Sequence, residues 1–105
     1  MPTPDELYDE GIKLKDDGKL DAAVAKLEEA LSQDERFALA HSALAVTCTK
    51  MGLHDRAIQH AERVVELEPR DPFSYMSLSV TYQRAGKIPE AESAMAMAQR
   101  MQMGG

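Results

Sequence analysis

The sequence predicts an all-α chain of three antiparallel helix hairpins, and three observations carry that expectation. Gly18, Gly52 and Gly86 stand 34 residues apart, and so do Ala23, Ala57 and Ala91. A fixed period of this length is the mark of one supersecondary unit repeated along the chain. Between the glycines the apolar residues recur with helical rather than strand spacing. The composition agrees: 44% hydrophobic, 29% charged and only 5% aromatic residues suit a helix-rich fold built on Ala, Leu and Met.

Other columns keep the same step. Small residues recur at Gly11, Ala45 and Ser79, and larger ones at Leu7, His41, Tyr75 and at Leu14, Cys48, Tyr82. Further columns run Leu27, Ala61, Met95 and Ala30, Val64, Ala98. In each unit a first helix carries an apolar stripe, a glycine turn reverses the chain, and a second helix packs back antiparallel. The small residues let the two backbones approach closely.

Start and stop signals place six helices near 4–17, 20–33, 37–51, 54–68, 71–85 and 88–101. Thr3-Pro4-Asp5-Glu6 reads as a capping box with proline at the first helical position. Asp71-Pro72 and Ile88-Pro89 put proline at the same point of later helices. Gly18, Gly52 and Gly86 sit where a left-handed residue closes the first helix of each pair.

The pattern resembles the tetratricopeptide repeat from about Pro4 to about Met103, and the second copy matches it most fully. Leu44-Ala45, Cys48, Gly52, Ala57, Ala61 and Pro69 stand where that family expects Leu-Gly, an aromatic, Gly, Ala, a large residue and Pro. Glu35 and Met103 depart from it at the closing proline, and Glu10 replaces an expected Leu. The resemblance implies one domain over residues 1–105, with repeats at about 4–37, 38–71 and 72–105. It also implies a right-handed α-solenoid with the first helix of each pair on the concave side, and no C-terminal capping helix.

By that resemblance the groove is faced by Tyr8, Ile12 and Lys15 in the first repeat. Leu39, Ser42, Val46 and Thr49 follow in the second, and Phe73, Met76, Val80 and Gln83 in the third. Most of these are apolar, which suits an amphipathic helix or an extended peptide with bulky anchors. Ile12, Val46 and Val80 also fit an inter-helix core a turn of about 100° away. Burying ~50 Å² on each apolar member gains about 9 kcal/mol gross, most of it offset by association costs, so one peptide should bind in the micromolar range or weaker. Members of the family that clamp a chaperone's terminal carboxylate use Lys, Arg and Asn. The corresponding Tyr8, Ile12, Ala43, Phe73 and Ser77 supply no charged donor.

The last helix, Pro89 to Met103, is rich in methionine and lacks the polar outer face of a terminal repeat. Met97, Met101 and Met103 are therefore expected to support self-association into a homo-oligomer, although Met95 and Met101 also fit the hairpin's own core.

Charge excludes other partners. The formal net charge is −6; residues 4–37 hold eleven acids against five bases, residues 38–71 five against four, and residues 72–105 two against three. Without clustered Lys and Arg, nucleic acid and anionic membrane surfaces are poor partners. The acidic start and the lack of a long apolar run predict no signal peptide and no membrane insertion, and with a single cysteine the expected compartment is the cytoplasm.

Chemistry is equally sparse. His41, His54 and His60 share no i,i+3 or i,i+4 spacing, so no metal and no cofactor is expected. Cys48 falls on an apolar stripe with no general base in helical reach, which predicts a core residue and no enzyme activity. Gly104-Gly105 resembles the tail of ubiquitin-like modifiers, a third and weaker reading beside peptide binding and self-assembly; a plain flexible end explains it better.

Overall fold

The computed structural model describes residues 1–104, and among them there are six helices and no strand. They are α1 (Pro4–Asp16), α2 (Leu20–Gln33), α3 (Ala38–Lys50), α4 (His54–Leu67), α5 (Pro72–Arg84) and α6 (Ile88–Gly104). The first five end within one residue of the expected positions, while α6 runs three residues past them. Nothing in Met101-Gln102-Met103 breaks a helix, so α6 continues to Gly104.

Thr3 and Glu6 form the reciprocal capping box at the start of α1. The Thr3 N–H donates to Glu6 Oε1 at 3.0 Å and the Glu6 N–H to Thr3 Oγ1 at 3.2 Å. At α5, Asp71 Oδ1 accepts from the Phe73 N–H at 2.9 Å, with Pro72 next to the cap. The first helix of each pair closes in the same way. Gly18, Gly52 and Gly86 take φ of 80°, 76° and 79°. The residue after each, Lys19, Leu53 or Lys87, then donates its N–H to the carbonyl of Leu14, Cys48 or Tyr82 at 2.9 Å. These bonds satisfy carbonyls that a helix end otherwise leaves unpaired.

Each helix packs on the next in sequence, and α1, α3 and α5 also touch in order, so the hairpins stack into a body of 43 × 27 × 19 Å. Burial follows the stacking. α1 has a neighbour on one side and buries Leu7 and Gly11, whereas the central α3 buries Ala40, His41, Ala43, Leu44, Ala45, Thr47 and Cys48. The outer face of the first hairpin is charged: Lys26 Nζ lies 3.4 Å from Glu10 Oε2 and 3.8 Å from Glu29 Oε1. Glu10 is accommodated on that face by its pairing with Lys26.

Candidate functional site

The column Gly11, Ala45, Ser79 sets how closely the two helices of each hairpin meet. A Cβ on Gly11 would lie 2.7 Å from Leu27 Cγ and 2.8 Å from Leu27 Cδ2, so the full Leu27 side chain fits only over glycine. In the second hairpin the same two columns hold Ala45 and Ala61, and in the third Ser79 turns its hydroxyl to the Ala91 carbonyl at 2.7 Å.

This exchange of volume shapes the concave side. Where the first repeat meets the second, Leu27 is fully buried, and Tyr8 and Ile12 pack half-buried against Val24, Leu27, Ala43 and Leu44. The Tyr8 ring also lies 5.5 Å from that of Phe37. Where the second meets the third, Ser42, Ala45, Val46, His54 and Ala61 occupy the columns of Tyr8, Gly11, Ile12, Leu20 and Leu27. There the structure has a groove of about 730 Å³. Its floor is Ala45, Ala61 and Val64; α3 adds Ser42, Val46, Thr49 and Lys50, and α5 adds Phe73, Met76, Ser77, Val80, Thr81 and Arg84. Phe73, Val46 and Val80 are 66%, 48% and 46% exposed, against half-buried Ile12 in the Val46 column.

The residues expected to face a ligand thus fall into three groups. Ser42, Val46, Thr49, Phe73, Met76 and Val80 converge on the one groove. Tyr8 and Ile12 lie in the filled first junction, and the half-buried Lys15 pairs with Asp16 at 3.1 Å. Leu39, 57% exposed, and Gln83, exposed, lie outside the groove lining. Among the methionines of α6, Met97 is 36% and Met103 88% exposed, while Met95 and Met101 are half-buried. Met97 also lines a shallower hollow of about 390 Å³ with Tyr75, Leu78, Tyr82 and Pro89.

Sequence spacing missed one pairing. His41 of α3 and His60 of α4 face each other with Nδ1 atoms 3.0 Å apart and ring centroids at 5.2 Å. His41 Nε2 lies 2.9 Å from the Glu35 carbonyl, which can only accept, so Nε2 carries the proton. In neutral His41 the bare Nδ1 therefore accepts from His60 Nδ1–H. Burial, the neighbouring His41 and then Arg56 lower the His60 pKa from 6.5 to about 4. The residues are 19 apart on separate helices of one hairpin, beyond the reach of helical spacing and of the 34-residue step.

Cys48 is fully buried, and burial raises its thiol pKa, with Arg56 and Glu28 acting in opposite senses. Among the described residues no three His, Cys, Asp or Glu side chains gather in a way that could hold a metal. Nor is any described helix long and apolar enough to cross a membrane. Gly104 ends α6, and Gly105 lies outside the described residues.

Helix hairpins stacked at a constant 34-residue step around a concave groove define an α-solenoid of the helical-repeat class. The tetratricopeptide repeat model matches residues 14–75, more than half of the sequence, and the chain belongs to that family. Solved structures agree on the fold. MamA superposes with a TM-score of 0.88 at 24% identity, covering 97% of this chain and 60% of its own. The type III secretion translocator chaperone SycD of Yersinia enterocolitica gives 0.84 at 21% identity, covering 93% of this chain and 74% of its own. YrrB, described as a TPR protein with an unusual peptide-binding site, gives 0.86 at 22% identity over 97% of this chain and 53% of its own. The chain therefore spans less than two-thirds of the length of MamA and YrrB. No curated protein matches in sequence.

Proposed function

We propose that the chain is a protein-interaction module, residues 1–105 acting as one repeat domain, that takes a bulky apolar side chain of a partner segment into the groove between α3 and α5. The observation that carries this reading is the open apolar groove itself, walled by exposed Val46, Phe73 and Val80 over a floor of Ala45, Ala61 and Val64. Exposing a large ring and two branched side chains around one hollow costs solvation that a partner recovers on docking. The peptide-binding site of YrrB and the chaperone role of SycD, both on this fold, are consistent with such a module. Tyr8 and Ile12 would act by holding the first junction closed, and Leu39 would extend the contact beyond the groove. No step requires a cofactor or a catalytic group.

The test fills the groove with the residues found one repeat earlier. Displayed random peptides are selected on the wild type and on a Ser42→Tyr, Ala45→Gly, Ala61→Leu variant, the glycine making room for the leucine as Gly11 does for Leu27. The wild type should enrich peptides with a Leu, Phe or Met anchor, and the filled variant should bind them roughly tenfold or more weakly, about 1.4 kcal/mol. Equal enrichment on both proteins, or none on the wild type, overturns the reading.

A second reading, self-association through α6, has the exposed Met97 and Met103 in its favour, with Met101 half-buried beside them. Light scattering at high concentration decides it: a strictly monomeric mass removes it.

A further inference from the structure

The chain carries eighteen acidic and twelve basic residues, yet no Asp or Glu lines the groove. Its only formal charges are Lys50 and Arg84, and the imidazole of His54 also lines it. Lys50 is the last residue of α3 and Arg84 the last of α5, one repeat apart, so they stand at the same end of the groove. His54 opens α4 beside that end, and its Nδ1 is buried without a hydrogen-bond partner among the described residues. Neither Lys50 nor Arg84 is within an ion pair among the described residues, although five such pairs form elsewhere. In the filled first junction the same column holds Asp16, already paired with Lys15. The junction that is open is thus also the one with a positive rim.

A cation in the last turn of a helix favours the helix by itself, through the partial negative charge of its terminal carbonyls. That role needs no acid-free groove and does not account for two cations meeting at one end of the same groove. From the reading of the groove as a binding site, we infer that its occupant is an acidic-apolar peptide segment. A bulky apolar side chain fills the groove, and flanking Asp or Glu side chains meet Lys50 and Arg84. Lys50 and Arg84 come from separate first helices, whose axes in a stack lie roughly 8–10 Å apart, so each has room to meet its own side-chain carboxylate. Long-range attraction between an acidic segment and this rim would also speed association, and would weaken as salt rises.

The experiment measures binding of four synthetic peptide pools with the same Leu, Phe or Met anchor. Three are C-terminally amidated and carry Glu, Gln or Lys at the flanking positions; the fourth carries Gln and a free C-terminal carboxylate. The amidated Glu pool should bind roughly five- to tenfold more tightly than the amidated Gln pool, the advantage shrinking in high salt. Lys50→Glu, Arg84→Glu should transfer the preference to the Lys pool. Lys50→Gln, Arg84→Gln, which keeps helix-compatible side chains, should abolish the preference while apolar binding persists. Equal binding of the Glu and Gln pools overturns the inference and leaves the groove reading standing. Preference for the free C-terminus overturns it in favour of a terminal carboxylate, and no binding of any pool removes both readings.

Discussion

The two junctions between repeats share one backbone plan and differ in what fills them. At the first, Leu27 over Gly11, with Tyr8 and Ile12 beside it, makes a packed interface; at the second, Ala61 over Ala45, with Ser42 and Val46, leaves a groove. Ala43, 7% exposed at the first, has the exposed Ser77 as its counterpart at the second. The concave side of the first junction is packed and that of the second is open, while beneath the groove Ala45 and Ala61 still join Leu78 and Ala94 in a buried cluster. In a stack of repeats, side-chain volume at a few columns is therefore enough to turn an internal interface into a site.

The largest expected effect comes from opening the first junction. Leu27→Ala removes a fully buried side chain and should cost about 3 kcal/mol, the usual range for such a cavity being roughly 2–5 kcal/mol. Urea unfolding measures the loss, and the variant should gain uptake of an apolar dye as the first junction comes to imitate the second. A loss below about 1 kcal/mol would mean that the first junction is not held by this side chain.

Gly11→Ala approaches the same contact from the other helix. Its new Cβ would fall 2.7 Å from Leu27 Cγ, and Leu27 is fully enclosed, so the side chain has nowhere to move cheaply. Overpacking of this kind costs about 1–3 kcal/mol. Because the clash depends on Leu27, a Gly11→Ala, Leu27→Ala double variant should be more stable than the sum of the two single losses predicts, converging on the Ala45–Ala61 pairing of the second hairpin. Simple additivity would show that the two positions do not compensate for each other.

This coupling marks what the sequence discloses and what it hides. The helices were legible because each boundary rests on a local signal: the Thr3–Glu6 capping box, Asp71-Pro72, and the glycines at 18, 52 and 86. The resemblance to the family suggested the concave columns, and of those residues Phe73, Met76 and Val80 share one cavity with Ser42 and Val46. Which junction is open was not legible column by column. Tyr8 and Ile12 read as groove residues as readily as Val46 does, and only the joint volumes of Gly11 with Leu27 and Ala45 with Ala61 separate them. The His41–His60 contact was hidden for a related reason: it joins different columns on different helices, across the hairpin rather than along it.

That histidine pair makes the smallest expected difference between the junctions. The connection into the second repeat is tied by an imidazole, His41 Nε2–H donating to the Glu35 carbonyl, whereas in the connection into the third the Ser74 hydroxyl lies 2.6 Å from the Asp71 carbonyl and 3.0 Å from the Glu68 carbonyl. The first tie has His60 beside it, its Nδ1 3.0 Å from His41 Nδ1. His60 stays neutral in the fold down to pH about 4, while its ordinary pKa is 6.5. Above 6.5 neither the folded nor the unfolded chain carries its proton; as pH falls from 6.5 toward 4 the unfolded chain takes it up first and folding weakens. Below 4 the folded chain is protonated as well and this loss stops growing. Because the ring is only partly buried, the loss should be on the order of 1–2 kcal/mol rather than the full equivalent of the shift. The difference in unfolding free energy between the wild type and His60→Gln, followed across that window, isolates it from the carboxylates that titrate there too. A constant difference would remove His60 as the source; a difference that narrows toward low pH, with hydrogen exchange rising around Glu35 before Glu68, would show that acid loosens the packed junction and leaves the connection beside the open one in place.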